Sequence, residues 1–193
     1  MFPDAIIHCF EPDPRAIAAF RILHAESTQV YLHQVAIGQS DGIVDFYVSD
    51  GIHSDEVTRR LRPNGWDLSG SIKKPKNTLA VNPWCTFEEV IRIKCMTLDT
   101  WARHHLPGTA IDLIWMDVQG AEGDVLKNSQ LAQKHTRYIF TEYSDDELYE
   151  GQPTLRELMS ILQSFSVLKL YDNDVLMKNC SFVSPSHCKP LIL

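Results

Sequence analysis

Short apolar runs alternate along the chain with stripes at helical spacing, and the alternation predicts an α/β fold. Ala5-Ile6-Ile7-His8-Cys9-Phe10 is closed by Glu11-Pro12-Asp13-Pro14 and predicts a strand buried on both faces. Asp13 is placed to cap a helix whose first position is Pro14, where no N–H is needed. Ala16, Ala19, Phe20 and Leu23 predict its buried stripe. Val30 to Ile37, closed by Gly38, predicts the next strand and completes a parallel crossover unit.

Residues 43 to 48 are β-branched and aromatic after the turn residues Ser40-Asp41-Gly42, which predicts another strand. The stretch from 49 to 90 is irregular, too long for an idle loop in a compact domain, and reads as either functional or partly mobile. Val90 to Cys95 alternates like a strand, and Leu98, Trp101, Ala102 and His105 mark a short helix. Asp112 to Asp117 predicts a buried strand ending on a carboxylate, followed by a helix through Val125 and Leu126. Tyr138 to Glu142 predicts a further strand that also ends on an acid. Thr154 and Glu157 form a capping box, with Leu155, Leu158, Met159 and Leu162 as the buried face behind it. Phe165–Tyr171 and Val175–Val183, joined by Asp172-Asn173-Asp174, predict an antiparallel pair at the sheet edge.

Composition narrows the function classes. The 193 residues carry a net charge of −7, which argues against a general affinity for nucleic acid or anionic membrane. No apolar run reaches the ~20 residues of a membrane span, and the start of the chain lacks the features of a signal peptide, so a cytoplasmic protein of one domain over residues 1–193 is expected. The five cysteines (Cys9, Cys85, Cys95, Cys180 and Cys188) include no CxxC pair. Reduced thiols are expected rather than disulfides or a zinc site. The histidines do not fall at a metal-ligand spacing, and no metal is expected. No two of the nine glycines are separated by a single residue, so no GxG cradle for a phosphate is present.

Candidate chemistry gathers at the strand ends, where open parallel sheets bind their ligands. Glu11, Asp117 and Glu142 each end a predicted strand. Glu11 suits the two hydroxyls of a ribose, or else simply begins a helix with Asp13. Asp117 enters Val118-Gln119-Gly120-Ala121-Glu122-Gly123, where it can orient or deprotonate a hydroxyl or hold a metal ion. Glu122 reads equally as a catalytic acid or as an anion in a first helical turn. His53 is a minor candidate. Arg59, Arg60, Arg62, Lys73, Lys74 and Lys76 are either a solvated face or a screen for an anionic substrate.

Asp112-Leu113-Ile114-Trp115-Met116-Asp117-Val118-Gln119-Gly120-Ala121-Glu122-Gly123-Asp124-Val125-Leu126-Lys127-Asn128 resembles the central motif of the FkbM family of methyltransferases. Phe10-Glu11-Pro12-Asp13-Pro14 and Thr97-Leu98-Asp99 resemble two further blocks of that family. Leu148-Tyr149-Glu150-Gly151-Gln152-Pro153 and Asp174-Val175-Leu176-Met177-Lys178-Asn179 are softer matches.

The resemblance implies a class I Rossmann-like α/β sheet with an inserted β and irregular segment at about 43–96. It also implies that the chain starts at the family's second strand, without the first strand, its helix and the glycine-rich loop between them. The implied cofactor is S-adenosylmethionine, with Glu11, Ala36, Ile37, Asp117 and Val118 as binding residues. Asp117 is the implied acceptor-side catalytic residue, with Glu122 and Glu142 as catalytic candidates from their positions, and the acceptor is a hydroxyl of a sugar or secondary metabolite. Gln119 stands where the family usually has Glu. A small-molecule acceptor is expected, together with a second copy or a partner over the open sheet edge. The competing readings are a non-catalytic interaction module that no longer binds the cofactor, and an enzyme of sugar-nucleotide chemistry.

Overall fold

In a computed structural model describing residues 4–61, 65–106 and 109–182, the first half of the chain runs β1 (Ile7–Phe10), α1 (Pro14–Leu23), β2 (Val30–His33), β3 (Ala36–Ile37), β4 (Gly42–Gly51), α2 (Glu56–Leu61), α3 (Thr78–Val81) and β5 (Cys85–Met96). The second half runs α4 (Leu98–His105), β6 (Ile111–Met116), α5 (Glu122–Lys127), α6 (Gln130–Lys134), β7 (Thr136–Glu142), α7 (Leu155–Ile161), β8 (Phe165–Leu170) and β9 (Asp174–Asn179). Arg62, Val183 and Cys188, which figure in the expectations above, lie outside the described residues.

Three sheets form. β1 and β2 pair in parallel, β3-β5-β4 form a second sheet, and β6-β7-β9-β8 form the third. β6 and β7 are parallel, whereas β9 runs antiparallel to both β7 and β8, so the expected closing pair is present. The mixture of parallel and antiparallel pairs agrees with the α/β reading. Residues 30–37 are not one strand. They divide at Gln34 and Val35, and the two halves pair with different partners, β1 and β5.

Local hydrogen bonds explain most helix starts. The Asp13 side chain accepts from Arg15 N at 2.8 Å, and the Thr154–Glu157 capping box is complete. Thr97 caps α4. Two residues on, Asp99 accepts from Leu131 N and Ala132 N at 3.0 and 2.9 Å. These N–H groups in α6 have no partner within their own helix, so the Thr97-Leu98-Asp99 block is an architectural joint between α4 and α6.

The main core joins Leu98, Trp101, Met116, Val125, Leu126, Ile139, Leu158, Leu162, Val175 and Met177. A smaller one lies between β4 and β5, around Ala36, Phe46, Val48, Ile93 and Cys95. Burial departs from expectation at three places. In α1 the buried residue is Ile17, while Leu23 is exposed. Met159 of α7 is likewise about half exposed. β1 and β6 are not buried on both faces: Ile7 is 47 % exposed and Trp115 76 %. Each stands at the end of its sheet, and among the described residues no strand pairs with its other edge.

The β1–β2 pair is held to α4 by aromatic rings. The indole N–H of Trp101 donates to His33 Nε2 at 3.3 Å, and His8 Nδ1 lies 3.0 Å from the same nitrogen. An indole nitrogen only donates, so His33 Nε2 is the acceptor and His8 Nδ1 carries its proton. Burial and neighbouring histidines hold both rings below the usual histidine range, consistent with a neutral pair.

The part of the 49–90 segment around residues 71–76 is tied to the rest of the fold. Tyr47 and Ser71 form a short antiparallel bridge, as do Pro75 and Tyr149. Lys76 N donates to Leu148 O and Glu150 N to Lys74 O, at 2.8 and 2.9 Å. Four of the segment's cations are paired: Arg60 with Glu56, Lys73 with Asp124, Lys74 with Glu150 and Lys76 with Glu147.

Candidate active site

Three of the carboxylates singled out in the sequence come together. β6 ends at Met116, and the next residue, Asp117, is exposed. β7 is its parallel neighbour and ends on the half-buried Glu142. Between them α5 begins with Glu122, which is fully buried. Glu122 Oε1 accepts from Val118 N at 3.1 Å and Gly120 N at 3.4 Å, while Oε2 has no partner among the described residues. Burial pushes the Glu122 carboxyl up to about 7, with a smaller push in the same direction from Asp117, against the N–H groups that lower it. Glu142 is pushed up to about 8 by burial, then by the charges of Asp117, Glu122 and Asp174. A group of acids this crowded holds a proton near neutral pH.

Gln119 joins two of them. Its side-chain nitrogen lies 2.5 Å from Asp117 Oδ1 and 3.5 Å from Glu142 Oε2. Its backbone has φ of +51°, a left-handed conformation that costs a non-glycine residue of order 1 kcal/mol or more. The inserted segment holds it there, since Ser71 Oγ donates to Gln119 O at 2.7 Å. The Tyr149 hydroxyl is 2.9 Å from both Gln119 Oε1 and Ser69 O. Tyr149 is 2 % exposed, and its N–H and that of Leu148 donate to Gln152 Oε1.

Tyr149 was not among the expected site residues. The one signal for it was the soft match over Leu148–Pro153, and nothing local distinguishes its ring from an ordinary core aromatic. Gly120 makes the arrangement possible. It has φ of +92°, and a Cβ there would lie 2.6 Å from Tyr149 Cβ. Gly120→Ala is expected to destabilise the fold by about 2 kcal/mol or more, from strain and overpacking together. Urea denaturation of the variant measures it, and an unchanged midpoint would refute the steric account.

Glu11 occupies a separate place, beyond the end of β1. Its Oε1 accepts from Asp13 N at 2.7 Å, and burial, with Asp13 and Asp67 nearby, pushes the carboxyl up. A half-buried carboxylate with this single backbone donor retains acceptor capacity, which the paired hydroxyls of a ribose can use. Arg15 ties the same corner to the inserted segment through Asp13 Oδ2 and Ser49 O, both at 2.7 Å. The Ala36 and Ile37 side chains are buried in the two cores, and Val118 is half-buried beside Asp117. His53 stacks on Trp66 and meets Trp84 edge-on, with centroids 5.6 and 4.4 Å away, as part of the packing of the inserted segment.

Comparison with known proteins gives a consistent picture. Residues 2–169 match the family model described as the methyltransferase FkbM domain. The chain is 42 % identical over 181 residues to 2-O-methyltransferase NoeI of Sinorhizobium fredii (strain NBRC 101917 / NGR234), covering 92 % of this chain and 71 % of that protein. Among solved structures it is similar to methyltransferase FkbM from Methylobacillus flagellatus KT, at 12 % identity and a TM-score of 0.49, over 89 % of this chain and 36 % of that one. The match of the family model over most of the chain, together with a relative at this identity, establishes that the chain belongs to the FkbM methyltransferase family.

Proposed function

We propose that this chain is an S-adenosylmethionine-dependent O-methyltransferase acting on a hydroxyl of a sugar or secondary metabolite. The observation that carries the reading is the pairing of an exposed carboxylate, Asp117, with the proton-holding Glu142 at the ends of adjacent strands, in a chain 42 % identical to a 2-O-methyltransferase. When bound, S-adenosylmethionine supplies an electrophilic methyl group on a sulfonium. Glu11 would accept hydrogen bonds from its ribose hydroxyls, and Asp117 and Val118 would complete its binding site. Asp117 takes the proton of the acceptor hydroxyl, raising the charge on the attacking oxygen. Glu142, carrying a proton, lets Asp117 keep its negative charge without a second one beside it. Glu122 braces the loop through Val118 and Gly120. The rest of the acceleration comes from holding hydroxyl and donor in line.

The four described cysteines are free thiols, which supports a reducing compartment such as the cytoplasm. No helix among the described residues is long and apolar enough to cross a membrane. The unpaired edges of β1 and β6, with Ile7 and Trp115 exposed, support a partner or second copy covering them.

Calorimetric titration with S-adenosylhomocysteine tests the cofactor assignment. Saturable binding is expected, weakened at least about tenfold in Glu11→Ala, because two hydrogen bonds to a charged acceptor are lost. A folded chain that does not bind would leave the interaction-module reading in its place.

A further inference from the structure

Gln119 is held in a strained backbone conformation, and its side chain has partners at both ends. The Tyr149 hydroxyl lies between two acceptors, Ser69 O and Gln119 Oε1. Its single proton therefore always points at a carbonyl oxygen. With Oε1 facing the phenol, the amide NH2 faces the carboxylates. A flipped amide would set a carbonyl oxygen 2.5 Å from the Asp117 carboxylate and lose the hydrogen bond that the phenol donates to Oε1. The two N–H contacts are unequal, 2.5 Å to Asp117 and 3.5 Å to Glu142. A hydrogen bond donated at close range favours the charged form of its acceptor.

From this geometry we infer that Gln119, oriented by Tyr149, is the positioning residue that fixes negative charge on Asp117 and the shared proton on Glu142. The inference rests on the Asp117–Glu142 reading above and adds a division of labour between the two. Every acid facing the pair acts in the same sense. Glu122 of α5 and Asp174 of β9 both disfavour charge on Glu142, the carboxyl that Gln119 touches least. Tyr149 itself stays neutral, its hydroxyl driven further up by burial and by Cys85 and Asp117. A glutamate at position 119 would offer no N–H to either acid and would add another carboxyl beside them. Glutamine at this position therefore makes a functional difference.

The test is 13C NMR titration of the side-chain carboxyl carbons in the full chain, comparing the native protein with Gln119→Asn and Tyr149→Phe. Asn tolerates a left-handed backbone but is one methylene too short to bridge. Tyr149→Phe leaves the amide in place and frees it to flip. In the native chain the Glu142 carbon is expected to shift as pH falls through about 8. In Gln119→Asn the midpoint of Glu142 is expected to fall by about one pH unit or more, as its proton is no longer confined to one acid of the pair. Tyr149→Phe is expected to move the Glu142 signal the same way by a smaller amount. Native titration curves in both folded variants would overturn the inference. Asp117→Asn separates it from the catalytic reading: if that variant still transfers methyl groups, Asp117 is not the base, whatever the titrations of Gln119→Asn show.

Discussion

Asp117→Asn is expected to lower methyl transfer to a hydroxyl acceptor by about a hundredfold or more while leaving S-adenosylhomocysteine affinity within about twofold of native. The size follows from losing a proton acceptor in the transition state, typically ~10²–10⁴ in rate. The preserved affinity follows from position: Asp117 is exposed beyond β6, and its carboxamide has nearly the same volume. Asn also keeps a carbonyl oxygen that can accept the hydrogen bond from Gln119, so the loop from 117 to 121 loses no structural partner. Labelled methyl transfer and calorimetry on the same preparation measure the two effects. Loss of cofactor affinity in parallel with turnover would make Asp117 a binding residue. Retention of turnover would remove it from the chemistry.

The second large effect is on stability. Glu122 is fully buried, and its carboxyl is raised to about 7 by burial from an ordinary value near 4.5. Below about 4.5 the acid is protonated whether the chain is folded or not, and it makes no pH-dependent contribution. As pH rises towards 7, the unfolded chain releases the proton first, so folding becomes progressively less favourable. Above 7 the full penalty, about 3 kcal/mol, is present. Glu122→Gln removes this dependence while its amide oxygen still accepts from Val118 and Gly120 N–H. The variant is expected to gain stability relative to the native chain between pH 4.5 and 8, by up to about 3 kcal/mol. Urea midpoints of both proteins at the two pH values provide the comparison, and parallel pH dependence would refute it. Asp174, also raised, titrates in both proteins, while Glu142 loses the part of its rise that the Glu122 charge causes, a change in the same stabilising direction.

These two effects share a cause, a set of acids crowded at one end of the sheet, and the acids themselves are legible in the sequence. Asp117 and Glu142 each close a hydrophobic run, and runs of that kind become strands whose ends lie side by side. The raised proton affinities are not legible there, because they arise when α5, β7 and β9 bring Glu122, Glu142 and Asp174 around Asp117. Nor is the role of Tyr149, which reaches Gln119 across 30 positions and Ser69 across 80. The inserted segment reads as loose because its order comes from bonds to 147–150 and to Gln119, invisible to any local pattern.

By itself, the sequence determined the order of the main strands and helices, though not α2, α3 and α6, together with the caps at Asp13 and Thr154 and the acids at the strand ends. Those depend on hydrophobic spacing and on hydrogen bonds spanning four residues or fewer, as at Asp13 and Thr154. Only the tertiary structure decided that residues 30–37 divide between two sheets, that β1 and β6 each keep an open edge, and that Gln119 separates two carboxylates. Pairing, exposure and proton affinity are set by segments distant in the chain, through desolvation and charge at short range in space.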